Sequence, residues 1–303
     1  MPISDYSESK LIEEPAIELL GALGWDTVNA YHEFDQGGSP LGRETKADVV
    51  LTSRLNSALE KLNPDLPAEA INQAITELTR DRSRMSLVAA NREVYDLIKN
   101  GVRVKITDLE NGGESDELIR VIDWEEPTNN DFLLCSQFWV TGEMYSRRPD
   151  LIGFVNGLPL LFIELKAAHK ALKNAFDHNL RDYKETIPDL FWYNGIVILS
   201  NGSESRIGSV TADWGHFSEW KKINSEGEEG VFSLETMLRG TCDPVRFLDL
   251  IENFTVFMAS RGGQIKLVAK NHQYLGVGNA IEAFKGLEKN QRRLGVFWHT
   301  QGK

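Results

Sequence analysis

The residues best placed to do chemistry lie in Leu160-Leu-Phe-Ile-Glu-Leu-Lys166. Four continuously apolar residues lead into a glutamate and a lysine, as at the end of a buried central strand. Burying either charge without a partner is costly or forces a change of protonation. At i and i+2 on a strand, Glu164 and Lys166 point to one face, roughly 6–7 Å apart along the chain, so they can share a site. Asp150 opens the preceding apolar segment, on the far side of Asn156-Gly157. Two carboxylates can hold a hydrated Mg²⁺. Such an ion activates water and neutralises charge developing on a phosphodiester. Lys166 can orient that water and stabilise the transition state. The plain alternative is a salt-bridged strand end, because Glu-x-Lys occurs by chance in many proteins.

Uniting the three groups imposes a condition on register. A two-residue turn at Asn156-Gly157 pairs Asp150 with Ile163 and turns Asp150 away from Glu164. A three-residue turn, Asn156 to Leu158, pairs 150 with 164, and a β-bulge would correct the parity as well. One of these is expected. Glu14, beside Pro15 on the first helix, could reach the same site or be a solvated helix carboxylate. Asn179 and Tyr183 are i and i+4 on the helix after Lys166 and share a face. They could contact DNA backbone or orient Lys166, or be a solvated Asn beside a packed Tyr.

The elements that must position these groups follow from periodicity. Residues 8–23 read as a helix (Ile12, Ala16, Leu19, Leu20, Leu23) stopped by Gly24. Segment 25–55 is mixed. Residues 54–80 read as two helical pieces broken at Asn63-Pro64-Asp65 and Pro67, and 86–99 as another. Residues 102–106 and 118–122 alternate as a hairpin across Asn111-Gly112-Gly113, and 132–140 is a strand. Segments 150–155 and 159–166 form the central hairpin. A helix spans 170–185, closed by Pro188, and strands follow at 195–200 and 205–210. Residues 243–259 and 272–289 read as helices, and 294–298 as a short strand. This order makes an α/β protein with a mixed sheet, not a βαβ repeat.

Bulk properties set limits. The 303 residues, with 41% hydrophobic and 26% charged, suit a globular protein with a full core. The longest apolar run, Leu158 to Ile163, is far too short to span a bilayer. Two cysteines, Cys135 and Cys242, make neither a disulfide framework nor a zinc site. With no secretory start, a cytoplasmic location is expected. The net charge of −12 argues against non-specific coating of DNA, though not against a local grip.

Asp150 followed by Glu164-Leu165-Lys166 resembles the PD-(D/E)xK nuclease signature. A longer string resembles the N-terminal part of the restriction (R) subunit of type I restriction enzymes. It comprises Asn179-Leu-Arg-Asp-Tyr183, Ile187-Pro-Asp-Leu-Phe191, Tyr193-Asn194, Ser200-Asn-Gly202 and Ile207-Gly208-Ser209. Glu14, Leu23-Gly-Trp25 and Leu62-Asn-Pro-Asp-Leu66 extend the resemblance over nearly the whole chain. The family carries Gln-x-x-x-Tyr after the nuclease Lys; here Asn179 stands for Gln, with the same amide on a shorter reach. Asn271-His-Gln-Tyr274 is similar to the start of the family's helicase motor, and Val296 to Gly302 to the strand entering its phosphate-binding loop. A working loop needs more than Gly302-Lys303. The string reads as cut inside the loop, so no ATP binding is expected of this chain.

The resemblance implies an α/β, PD-(D/E)xK nuclease-like mixed β-sheet flanked by helices, with helical additions. It implies an endonuclease domain over 1–240, with a helical insertion at 54–99. Residues 241–303 would be a helical linker and the truncated start of the motor. Asp150, Glu164, Lys166 and Tyr183 would be catalytic. Asp150 and Glu164, with Glu14, would bind Mg²⁺. Asn179, Arg181 and Tyr183 would face DNA, and Gln273 would read ATP in the full-length subunit only. The implied partners are double-stranded DNA and the modification and specificity subunits, with no membrane. A non-catalytic docking module tying the motor to its partner subunits is the alternative from another class. A repair or recombination nuclease with the same core is another, against which the string after 270 argues.

Overall fold

In the computed structural model, residues 12–35, 38–108, 113–225, 233–260, 262–288 and 294 are described. The chain opens with α1 (Glu14–Ala22) and β1 (Asp26–Asn29). Three helices follow, α2 (Thr52–Leu62), α3 (Ala68–Thr79) and α4 (Leu87–Asn100), then the antiparallel pair β2 (Val102–Asp108) and β3 (Gly113–Ile119). Next come β4 (Phe132–Ser136) and a short pair, β5 (Val140–Thr141) and β6 (Ser146–Arg147). The central hairpin is β7 (Leu151–Val155) and β8 (Leu158–Leu165). A π-helical turn at Ala175–Leu180 runs into α5 (Arg181–Thr186), then α6 (Pro188–Trp192), β9 (Ile196–Ser200) and β10 (Ser205–Gly208). The remainder is α7 (Ser233–Thr241), α8 (Pro244–Glu252), β11 (Thr255–Ser260), β12 (Gly263–Val268) and α9 (Asn271–Lys285). Among the described residues, no helix is long and apolar enough to cross a membrane.

Six strands form one mixed sheet in the order β1-β4-β7-β8-β9-β10. β8 lies between antiparallel β7 and parallel β9. Every residue of β8 is buried, as a strand covered on both faces requires. On one face, Phe162 meets Tyr183 edge-on at 5.8 Å and lies 5.2 Å from Phe191. Trp25 packs edge-on to Phe132 and Phe247. Its ring is so near Gly153 that a Cβ there would lie 2.8 Å from it. Phe247, Leu248, Leu250 and Ile251 of α8 join this same core.

Three local readings differ from periodicity. Helical spacing through Phe254 suggests a helix to 259, but α8 ends at Glu252 and the run Thr255-Val-Phe-Met begins a strand paired with β12. β-Branched and aromatic side chains suit that pleated pair better than a helix. The expected helix over 170–185 is interrupted by its π-helical turn, and α6 restarts at Pro188, which takes a first-turn position that lacks an N–H partner anyway. The strand at 132–140 stops at Ser136, because Gln137 takes a left-handed φ of 57°. The expected turn at 111–112, the terminal strand beyond Leu294 and the Gly302-Lys303 loop lie outside the described residues.

Lys266 of β12 is 1% exposed. Its Nζ donates to the Asn194 carbonyl at 2.7 Å and sits 5.3 Å from the Tyr95 ring centre. Burial lowers its pKa from 10.5 to about 7. The Asn194 carbonyl also accepts from Asn91 Nδ2 at 2.9 Å, so removing the ammonium leaves it bonded. Lys266→Met, apolar and of similar length, is therefore expected to stabilise the fold by about 1–3 kcal/mol. The unfolded lysine keeps its proton up to about 10.5 and the folded one only to about 7, so native stability rises with pH across that window. The variant loses that slope. Urea unfolding followed across the window measures both effects.

Candidate active site

The register condition is met by a bulge. Asn156 and Gly157 have φ of 51° and 78°, the two left-handed residues of a tight two-residue turn. Val155 pairs with Leu158 and Phe154 with Pro159, but Gly153 pairs with Leu161. Leu160 is the extra residue, and its carbonyl accepts from Gly195 N–H at 2.7 Å. Beyond it, Leu151 pairs with Ile163, the last pair of the hairpin, and a further step in that register leads from Asp150 to Glu164. The longer turn is not used. Asn156 explains the choice: its amide donates to the Val121 carbonyl at 2.9 Å and to Asn130 at 2.8 Å, while its Oδ1 accepts from Asp131 N–H at 2.8 Å. These bonds fix the turn at Asn156-Gly157, and the strand takes up the odd residue further along.

Glu164 is 1% exposed. Its Oε1 accepts from Lys166 Nζ at 2.7 Å and from Asn179 Nδ2 at 2.7 Å. A buried carboxylate needs such compensation. Asp150 is half-buried, and its Oδ2 accepts from Leu165 N–H at 2.8 Å. Its carbonyl accepts from Gln137 N–H at 2.8 Å, so the strained Gln137 backbone serves to hold Asp150. Burial pushes the Tyr183 phenol up, and the charges of Glu164 and Asp150 push it the same way, against a hydrogen bond with Asn179. Tyr183 therefore stays neutral through the mildly alkaline range. Beside it, Arg147 holds Asp182 with bonds of 2.5 and 2.9 Å and keeps its carboxyl below the usual range.

The fold thus brings Asp150, Glu164, Lys166, Asn179 and Tyr183 together. It leaves out three other expected residues. Glu14 is exposed on α1; its neighbour Glu13 is 9% exposed and accepts from Gln137 Nε2 at 2.7 Å. Glu13 and Asp150 line one cleft of about 410 Å³. Helical phase carries the signal, since Glu13 shares the buried face of Ala16 and Leu20 at i+3 and i+7, whereas Glu14 aligns with exposed Glu18. Arg181 follows Asn179 by two residues, about 200° around the helix. It is exposed and pairs with Glu185 at 3.1 Å. Gln273 is exposed, and its Oε1 accepts from Lys270 N–H at 2.8 Å, capping α9. Gln137 and Arg148, which also line the cleft, carry no motif that spacing alone could pick out.

Among the described residues, no group of three or more His, Cys, Asp or Glu is arranged to hold a metal ion by itself. Mg²⁺ asks less of a protein: one or two carboxylates, with water and substrate oxygens completing its shell. Glu164 near the end of β8 and Asp150 just before β7, next to a cleft, suit that demand.

The family model for "Type I restriction enzyme R protein N terminus" matches residues 5–216. The chain is 35% identical over 302 residues to the type I restriction enzyme HindI endonuclease subunit of Haemophilus influenzae, covering 96% of this chain and 28% of that protein. It is 27% identical over 332 residues to the putative type I restriction enzyme MjaIXP endonuclease subunit of Methanocaldococcus jannaschii, covering 98% and 30%. With a Staphylococcus saprophyticus type I endonuclease subunit it shares 28% over 205 residues, or 64% of this chain and 20% of that one. The chain therefore spans less than a third of the length of these relatives. With most of its length matched, it belongs to the family formed by the N-terminal region of the type I restriction enzyme R (endonuclease) subunit.

Proposed function

We propose that this chain is the Mg²⁺-dependent nuclease unit of an R subunit, hydrolysing phosphodiester bonds of double-stranded DNA. The observation that carries the reading is the bulge at Leu160, which puts the register of the hairpin in phase to bring Asp150, bonded to Leu165 N–H, beside Glu164, itself bonded to Lys166. Bulges recur beside active sites because they re-aim side chains. Asp150 and Glu164 would hold the metal, which when bound supplies charge neutralisation and a more acidic water. Lys166, bonded to Glu164, would offer its ammonium to the negative charge that develops on the phosphate. Asn179 fixes the glutamate oxygen it shares with Lys166. The neutral Tyr183 packs on Phe162 and presents a hydroxyl to the same cluster.

In the complete subunit, cutting would be coupled to ATP-driven translocation by a motor C-terminal to this nuclease unit of about 1–240. The modification and specificity subunits would be its partners. Calorimetric titration with Mn²⁺, a stand-in for Mg²⁺, tests the site. The unaltered chain should bind the ion, and Asp150→Asn should abolish binding without unfolding the protein. A chain that takes up no Mn²⁺, or an Asp150→Asn variant that binds it undiminished, would favour a docking module without catalysis.

A further inference from the structure

The cleft beside Asp150 contains a cation that the catalytic reading does not use. Arg148 lines it together with Glu13, Tyr31, Gln137 and Asp150. Pro149 restricts the Arg148 backbone to extended conformations, so the arginine sits at a set distance from the aspartate two residues on. Its guanidinium lies 4.7 Å from the Tyr31 ring centre and 5.2 Å from that of Trp139. Lys46 Nζ sits 5.0 Å from the same Trp139 ring. A row Tyr31, Arg148, Trp139, Lys46 therefore leads away from the candidate metal ligand. Tyr31, at its cleft end, is 47% exposed.

The neighbouring arginines are held differently. Arg147 is bound to the Asp182 carboxylate through two nitrogens, and Arg43 is closed in a fully buried pair with Glu33. Those carboxylates cancel their charge. Aromatic rings hold Arg148 and Lys46 in position without cancelling theirs. A guanidinium lying over a ring also keeps its in-plane N–H fork for an anion with phosphate geometry. On a chain of net charge −12, an anionic polymer must be gripped at such local points.

We propose that Arg148 and Lys46, held on the Tyr31 and Trp139 rings, bind backbone phosphates of duplex DNA next to the bond to be cut. This rests on the nuclease reading, because it is Asp150 that gives the cleft its link to a scissile phosphate. Arg148 and Lys46 make the phosphate contacts; Tyr31 is a positioning residue.

Fluorescence anisotropy of the 303-residue chain with a labelled short duplex, Ca²⁺ replacing Mg²⁺, over a salt series, tests it. Arg148→Ala should weaken binding about tenfold and reduce the slope of log affinity against log salt by about one, the share of one phosphate. Lys46→Ala should reduce the slope similarly. Arg148→Lys should keep part of the affinity, since it retains charge without the fork. Tyr31→Phe should bind as the unaltered chain does, and Tyr31→Ala should not. Mn²⁺ titration of Arg148→Ala should match the unaltered chain, which separates the two readings. Unchanged affinity and slope in Arg148→Ala and Lys46→Ala overturns the phosphate contact and leaves the metal site standing. So does an unaltered chain that binds Mn²⁺ but no duplex at low salt. An unaltered chain that binds no Mn²⁺ brings down both.

Discussion

Glu164→Gln is expected to lower DNA cleavage by about 10³-fold or more, some 4 kcal/mol of transition-state stabilisation. Glutamine has the same shape and can still accept at Oε1 from Asn179, so the amide contact survives. What disappears is the charge. The site loses one of the two anionic ligands proposed for the metal, and Lys166, bonded to Glu164 at 2.7 Å, keeps its charge beside a neutral partner. The lysine side chain is 15% exposed, so water relieves part of that imbalance, and a stability loss of about 1–3 kcal/mol is expected rather than unfolding. Because the chain spans 28% of its Haemophilus relative, cleavage is best measured in an R subunit assembled with its partners. DNA-dependent ATP hydrolysis by the same assembly should persist, showing that the loss is local. Cleavage within tenfold of the unaltered enzyme would remove Glu164 from the mechanism.

Gly157→Ala is expected to destabilise the fold by about 2–5 kcal/mol. At φ +78° a Cβ is strained whatever surrounds it, and here it would lie 2.5 Å from the Leu51 carbonyl oxygen and 2.8 Å from Leu55 N. Both are backbone atoms at the start of α2, and Leu51 N–H bonds the Gly157 carbonyl at 2.9 Å. Neither neighbour can rotate away as a side chain would, so the turn or the helix must move. This turn sets the register of β7 on β8, so the damage should reach Asp150 and Glu164 as well. Denaturant unfolding should show the loss, with Mn²⁺ affinity falling in the fraction that folds. Gly262→Ala, where a Cβ meets nothing within 4 Å, serves as the control and should change stability by about 0.5 kcal/mol or less. Equal stability in both variants would mean that the turn does not constrain the hairpin.

The sequence was most informative where burial and charge collide. The apolar run before Glu164 admits few readings other than a covered strand, and an i, i+2 pair at its end must share a face. The antiparallel pairs follow from hairpin turns between apolar runs, and the helical segment between β8 and β9 supplies the crossover that makes that pair parallel. How parity is corrected did not follow. The choice between a longer turn and a bulge is made by distant partners of Asn156, namely Val121, Asn130 and Asp131. That Glu13 rather than Glu14 faces the cleft was legible in principle through helical phase, but adjacent glutamates obscure it. Asn179 lies in a π-helical turn, whose altered spacing no periodicity argument anticipates, yet its amide reaches Glu164. The pair β11–β12 was hidden because Phe254 continues the helical apolar spacing of α8 past the helix end. No spacing in the sequence marks Lys266 as buried; Tyr95, Phe257 and the Asn194 carbonyl, all distant in the chain, enclose it.

The central claim is that Asp150 and Glu164 form one metal site. Anomalous diffraction from crystals of the chain soaked in Mn²⁺ tests it most directly. The account predicts one strong manganese peak within ligand distance of both carboxylates, lost in Glu164→Gln crystals. A peak that touches neither carboxylate, or none in crystals where the two side chains face opposite sides of the sheet, would contradict it.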